Sequence, residues 1–242
     1  MNPISRMQPE SGEIHLWLVD LEPEANEMAE LVASLSDDER ARAERIRIPG
    51  NRNHFIVARG VLRKILGASL SSPPDQLGFV YGVHGKPELR DAGSTGVHFN
   101  LSHSSRLALL AINRIYQIGV DIERARPERP LLKIAERFFS AREMQELRTL
   151  PVKSLQDGFY SCWTRKEAYL KAIGTGLATP LNAFDVTLRP GDPPALAGQR
   201  LDPAETCRWR ILDIEVPVGY RAAVATRWES PRIVMRQWHA DA

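Results

Sequence analysis

Two long amphipathic stretches, each closed by glycine, constrain this chain more than any other feature. The first runs from about Asn51 to Leu66 and meets Gly67. Its apolar stripe is Phe55, Val57, Ala58, Val61, Leu62, Ile65 and Leu66, and Arg52, Arg59 and Arg63 form another stripe. The second covers about Leu155 to Ile173 and meets Gly174. Each apolar face needs a sheet or helices to cover it, and the neighbouring segments supply both.

The order of elements is the same around each. Ile14 to Leu21 reads as a strand, and Ser36 followed by Glu39 opens a helix as a capping box that ends near Pro49-Gly50. After the first long helix come strands around Leu77–Val80, Val97–Leu101 and Leu107–Asn113. In the second half Gln117 to Ile122 is a strand, and helices follow at about Leu131–Arg137 and Ala141–Leu150. Strands then fall near Phe184–Leu188, Arg208–Glu215, Tyr220–Thr226 and Ile233–Trp238, with Pro190–Pro203 as a surface loop. The expectation is an α+β fold of two pseudo-symmetric subdomains, residues 1–116 and 117–242, with a ligand groove between them.

Composition narrows the function classes. Charged residues are 26% of the chain and the formal net charge is +2, short of the basic excess of a nucleic-acid coat. Lysine occurs only at Lys64, Lys86, Lys133, Lys153, Lys166 and Lys171, so its positions are informative. Cys162 and Cys207 lack metal-ligand spacing and read as buried free thiols in a reducing cytoplasm. The segment Met1–Gly12 has no apolar secretory core, and no apolar run approaches the ~20 residues that span a bilayer.

Four clusters carry chemistry. Asp121 and Glu123 in Gly119-Val120-Asp121-Ile122-Glu123 point to one face of a strand end, while Val120 and Ile122 point to the core. Two hard oxygen ligands suit magnesium, and solvated carboxylates would produce the same pattern. Trp163, Glu167 and Lys171 share a helix face, where Glu167 and Lys171 read either as a surface ion pair or as a third ligand with a phosphate-neutralising lysine. Lys86 sits in a Gly/Pro turn. Phe99 to Ser104 ends a strand in Ser102, His103 and Ser104, a group that could hold phosphate oxygens or form a hydrogen-bonded loop. His103 has no partner at zinc-ligand spacing.

Taken together, Lys86-Pro87, Phe99 to Ser104, Gly119 to Glu123, and Trp163 to Lys171 with Gly174-Thr175-Gly176-Leu177 resemble the Sfp-type 4′-phosphopantetheinyl transferases. Phe138-Phe139 followed by Glu143 and Leu147 resembles the connecting helix of that family, and the Arg52, Phe55, Arg59 and Arg63 pattern resembles its first-half helix. The match spans about Arg40 to Leu177. The resemblance implies a monomer that moves the phosphopantetheine arm of coenzyme A to a serine of an apo acyl or peptidyl carrier protein. It implies Asp121, Glu123 and Glu167 as magnesium ligands, with Glu167, or a water it orients, as base and Lys171 as charge stabiliser. Lys86, His103, Lys171, Arg59 and Ser102 are the implied coenzyme A contacts. Because the family's carriers are acidic around the modified serine, Arg142, Arg148 and Lys153 become candidates for docking them. A metal-dependent phosphodiester hydrolase and a non-catalytic coenzyme A-binding protein are the rival readings.

Overall fold

The computed structural model describes residues 8–238; the first residues of the polar N-terminal segment lie outside them. The chain forms two α+β units. The first holds residues 8–80, 87–115 and 232–238, and the second holds 81–86 and 116–231. Among the described residues, no helix is long and apolar enough to cross a membrane.

In the first unit, β1 (Glu13–Asp20), β4 (His98–Ser104), β5 (Leu107–Asn113) and β11 (Arg232–Gln237) make a sheet in the order β11-β1-β5-β4. Strands β4 and β5 form a hairpin, and β5 pairs antiparallel with β1, setting Trp17 opposite Leu110. Sequence order assigns the last strand to the second half, but β11 runs parallel beside β1, with Glu13 opposite Arg232. Its ends are pinned there: Arg232 N donates to Gly12 O at 2.8 Å, and Trp238 N donates to Leu18 O at 2.9 Å. The Trp17 and Trp238 rings meet edge-on at 6.4 Å. Local pattern cannot show which sheet edge a terminal strand will close.

Helices α1 (Ala25–Ala33), α2 (Asp37–Arg45), α3 (Pro49–Leu70) and the short α4 (Ala92–Thr95) belong to this unit, with β2 (Phe79–Tyr81) pairing β3 (Pro87–Leu89). The Ser36–Glu39 capping box is present. Pro49 starts α3, where a missing N–H costs least; it does not end the helix before it. Gly67 does not stop α3 either. A Cβ there would meet Ser72 O at 2.7 Å, so glycine lets the chain double back against the helix. The helix closes at Ser71, whose φ is +54°.

The arginine stripe of α3 has an internal partner. Glu39 is 2% exposed and receives both Arg59 and Arg63, with Arg59 Nε at 2.7 Å. Arg63 also donates to Pro74 O at 2.7 Å and Leu77 O at 3.0 Å. Both guanidinium groups lie over the Phe79 ring, at 4.6 and 5.0 Å. Here α2, α3 and the strand after it are joined through one buried carboxylate.

In the second unit, β6 (Ile118–Arg124), β10 (Tyr220–Thr226) and β9 (Arg210–Ile214) form an antiparallel sheet in the order β6-β10-β9. Against it lies α7 (Val152–Ile173), with α5 (Leu131–Phe138) and α6 (Ala141–Arg148) on the way in. The core gathers Phe139, Leu147, Phe159, Tyr169, Phe184, Trp209, Ala223 and Ala225. Strand β7 (Phe184–Val186) pairs with β8 (Leu196–Gln199), so the Pro190–Pro203 stretch is not all loop. The Leu196 side chain, 3% exposed, recruits it to the core. The segment after it forms the short helix α8 (Glu205–Arg208) before β9 begins. Both cysteines are free; Cys162 is buried as expected, but Cys207 is exposed because α8 lies at the surface.

Replacing Glu39 by Ala would leave Arg59 and Arg63 as buried cations without their shared carboxylate. The expected loss is about 3–5 kcal/mol, the range for breaking a buried ion pair from one side, read by urea unfolding. A loss no larger than that of a surface substitution would show that the cluster does not hold α2 to α3.

Candidate active site

The second unit brings its candidate residues together through a single close approach. A Cβ on Gly119 would lie 2.0 Å from Ala168 O and 2.3 Å from Ala172 N. No side chain fits there, so β6 crosses α7 backbone against backbone. The register then decides which residues face the helix. Val120 and Ile122 are fully buried on one side of β6, whereas Gly119, Asp121 and Glu123 alternate onto the side that α7 covers.

Asp121 is 3% exposed, and Lys171 Nζ donates to its Oδ1 at 2.6 Å. Glu167, one turn before Lys171, is half-buried. Burial lifts its carboxyl above the usual range; the negative charges of Asp121 and Glu123 push it the same way, and Lys171 opposes them. Glu167 therefore feels both carboxylates of β6. Among the described residues, no group of three His, Cys, Asp or Glu side chains is gathered closely enough to hold a metal by itself.

Lys86, half-buried at the end of an exposed turn, donates to Lys171 O at 2.7 Å, Ile118 O at 3.2 Å and Ala172 O at 3.4 Å. Trp163 leaves the catalytic stripe for the core, stacking on Phe159 at 5.9 Å and meeting Phe138 edge-on at 5.6 Å.

Ser102, His103 and Arg59 belong to the first unit. Ser102 is 6% exposed on β4, and the neighbouring His103 is exposed. Arg59 is engaged by Glu39. On α6, Arg142 pairs with Glu146 at 3.2 Å and Arg148 pairs with Glu136 at 2.8 Å, both largely exposed.

One element of the site escaped the residue patterns. Lys166 is fully buried next to Glu167; it pairs with Glu143 at 2.8 Å and donates to Leu181 O at 2.7 Å and Phe184 O at 2.6 Å. Glu143 also closes the Ser140 capping box and accepts Val186 N at 2.8 Å. This network orients α7 by tying α6 and β7 to its buried side. The Ser140-x-x-Glu143 box was the available signal, but a capping glutamate is ordinarily exposed and gives no hint of a buried lysine.

Comparison with known proteins finds one family over most of the chain. The family model described as "4'-phosphopantetheinyl transferase superfamily" matches residues 117–225, and the model "4'-phosphopantetheinyl transferase, N-terminal" matches residues 20–115. The chain is 43% identical to the 4′-phosphopantetheinyl transferase HetI of Nostoc sp., over 89% of this chain and 88% of that one. It is 33% identical to the 4′-phosphopantetheinyl transferase psf-1 of Bacillus pumilus, over 72% and 73%. It is 29% identical to the 4′-phosphopantetheinyl transferase Sfp of Bacillus subtilis, over 84% and 86%.

The crowding of carboxylates has a pH signature. Ionising Glu167 costs the folded state, because burial and its acidic neighbours raise its pKa in the fold. That cost is absent below the unfolded glutamate pKa of about 4.3, grows as pH rises through the raised folded value, and persists above it. Glu167→Gln removes it. In protein freed of divalent cations, the variant should melt above wild type at neutral pH and match it in acid. A variant that melts below wild type at neutral pH would refute the repulsion.

Proposed function

The chain belongs to the 4′-phosphopantetheinyl transferase superfamily, and from that premise we propose how its residues work. It transfers the 4′-phosphopantetheine group of coenzyme A to a serine of an apo acyl or peptidyl carrier protein. The products are holo-carrier protein and adenosine 3′,5′-bisphosphate. Coenzyme A contacts come from the N-terminal subdomain, residues 1–116, and metal and catalytic residues from 117–242. The setting is a cytoplasmic monomer with no nucleic-acid or membrane partner.

The observation that carries the reading is the crossing at Gly119, which turns Asp121 and Glu123 toward the helix that bears Glu167 and Lys171, with Lys171 bonded to Asp121 at 2.6 Å. Burial and the charges of Asp121 and Glu123 raise the cost of ionising Glu167; a small hard cation would relieve it, and the donors on all three side chains are oxygen. They fit magnesium, which takes few protein ligands and fills its shell with water and substrate phosphates. Bound there, it would supply positive charge to the phosphoryl oxygens.

The chain's own groups account for the remaining steps. Glu167, or a water it holds, takes the proton of the carrier serine; its raised pKa brings it closer to that task at neutral pH. The serine oxygen attacks the β-phosphorus, and Lys171 offsets the charge gathering on the phosphoryl oxygens and leaving group. Ser102 and His103 contact coenzyme A phosphates. Arg59 joins that set with Glu39 already in place, whereas the Lys86 ammonium is directed at three carbonyls.

Incubation with coenzyme A, magnesium and an apo-carrier protein should add the mass of one phosphopantetheine arm to the carrier. Cleavage of coenzyme A without a carrier would favour a hydrolase instead. Asp121→Ala should abolish transfer by a protein that still folds; near-normal turnover would remove Asp121 from the site. Glu167→Gln should lower the rate by about 10²-fold or more, within the range of general base catalysis; unchanged activity would exclude Glu167 as base and ligand.

Carrier docking offers a separate test. Arg148 lines a groove of about 550 Å³ floored by Phe139 and Met144, and Arg142 sits on the same helix. Reversing Arg142 and Arg148 to Glu should raise KM for carrier protein several-fold and leave KM for coenzyme A unchanged. Rising salt should weaken the wild-type interaction, because the Debye length falls from ~10 Å at 0.1 M to ~3 Å at 1 M. Indifference to both would place docking elsewhere.

A further inference from the structure

The turn ending at Lys86 is exposed from Tyr81 to Gly85, yet it is anchored to the buried end of the catalytic helix. Two contacts fix it. Gly176, at φ +50°, would bring a Cβ within 3.0 Å of His84 Cβ, so the turn lies directly on the segment that follows α7. The Lys86 ammonium then bonds the carbonyls of Ile118, Lys171 and Ala172.

Those three acceptors have a common meaning. Lys171 O and Ala172 O are among the last carbonyls of α7, which find no partner inside the helix. Leu170 O is satisfied by Gly174 N at 3.0 Å, and Lys86 satisfies the next two. A cation is favoured there because the C-terminal end of the helix carries partial negative charge. Ile118 O opens β6, immediately before the Gly119 crossing. One ammonium therefore binds the strand that bears Asp121 and Glu123 to the helix that bears Glu167, and it does so through the backbone of Lys171 itself.

We propose that Lys86 is a positioning residue, whose ammonium holds the start of β6 to the end of α7 and so sets Asp121 against Glu167 and Lys171. The proposal rests on the transferase reading. It assigns Lys86 a role distinct from contact with a coenzyme A phosphate, because three of its hydrogen bonds are directed at carbonyls in its own unit.

The test uses the full-length protein with Lys86→Met, which keeps the stem and removes the donors, and Lys86→Arg, which keeps charge and donors. Wild-type transfer is measured first; its failure would remove the transferase reading, an outcome distinct from any change confined to the variants. With wild type active, and well below each variant's Tm, Lys86→Met should lower kcat by about 10- to 100-fold, the loss typical when a group that orients functional ligands is removed. Binding of coenzyme A, measured without turnover, should stay within about twofold. Magnesium binding should weaken, and Lys86→Arg should recover part of kcat. Amide exchange at the end of α7 should quicken in Lys86→Met. If that variant does not fold, Lys86→Gln, which retains a neutral donor, replaces it with the same expectations. A coenzyme A affinity lowered tenfold or more with kcat retained would make Lys86 a phosphate contact and overturn the proposal. A lower Tm with normal kcat in the folded variant would reduce it to a helix cap and overturn the proposal equally.

Discussion

The second unit is organised around the crossing of β6 and α7 at Gly119. The space between strand and helix there is smaller than a methyl group requires, since a Cβ would fall 2.0 Å from Ala168 O. Everything chemical in this unit follows from that distance. With backbone against backbone, the alternation of β6 sends Asp121 and Glu123 toward α7, where the helical repeat has placed Glu167 and Lys171 a turn apart. A larger residue at position 119 would push the strand away and separate the carboxylates from the lysine.

Neighbouring groups on α7 then divide into two kinds by environment. Lys166 is fully buried and saturated by Glu143 and two carbonyls; a charge so enclosed fixes geometry and is unavailable for exchange. Lys171, 29% exposed along its side chain, has the carboxylate of Asp121 as partner, which an incoming cation and phosphate could replace without leaving either group buried and alone. Glu167 lies between them, with an ionisation that burial opposes. One helix thus carries a fully buried lysine and a partly exposed one five residues apart, and only their surroundings distinguish them.

The first unit shows the same principle in reverse. Arginines spaced along one face of α3 suggest a phosphate surface, since guanidinium forks match such anions. The fold gives Arg59 and Arg63 a buried carboxylate and an aromatic face. Glu39 reads in the sequence as a capping residue, which it is, but it is also the anion that stripe was waiting for. Ser102 and His103, by contrast, sit at the end of β4 as the strand pattern requires, with the imidazole exposed.

The sequence by itself determined the elements whose causes are local. Capping boxes at Ser36 and Ser140, the αL closure at Gly174, the amphipathic faces of α3 and α7, and the Asp121-x-Glu123 alternation all rest on residues within a turn or two of each other. The motif order likewise sufficed to resemble the right family. Tertiary structure decided what depends on distant partners. It alone made Gly67 a packing glycine, recruited Leu196–Gln199 to a strand, and carried β11 back beside β1. It alone buried Lys166 against Glu143 and turned Lys86 toward the carbonyls of α7. The physical reason is that a side chain's charge and reach are written in its own residue, whereas its burial and its partner are set by chain segments tens of residues away.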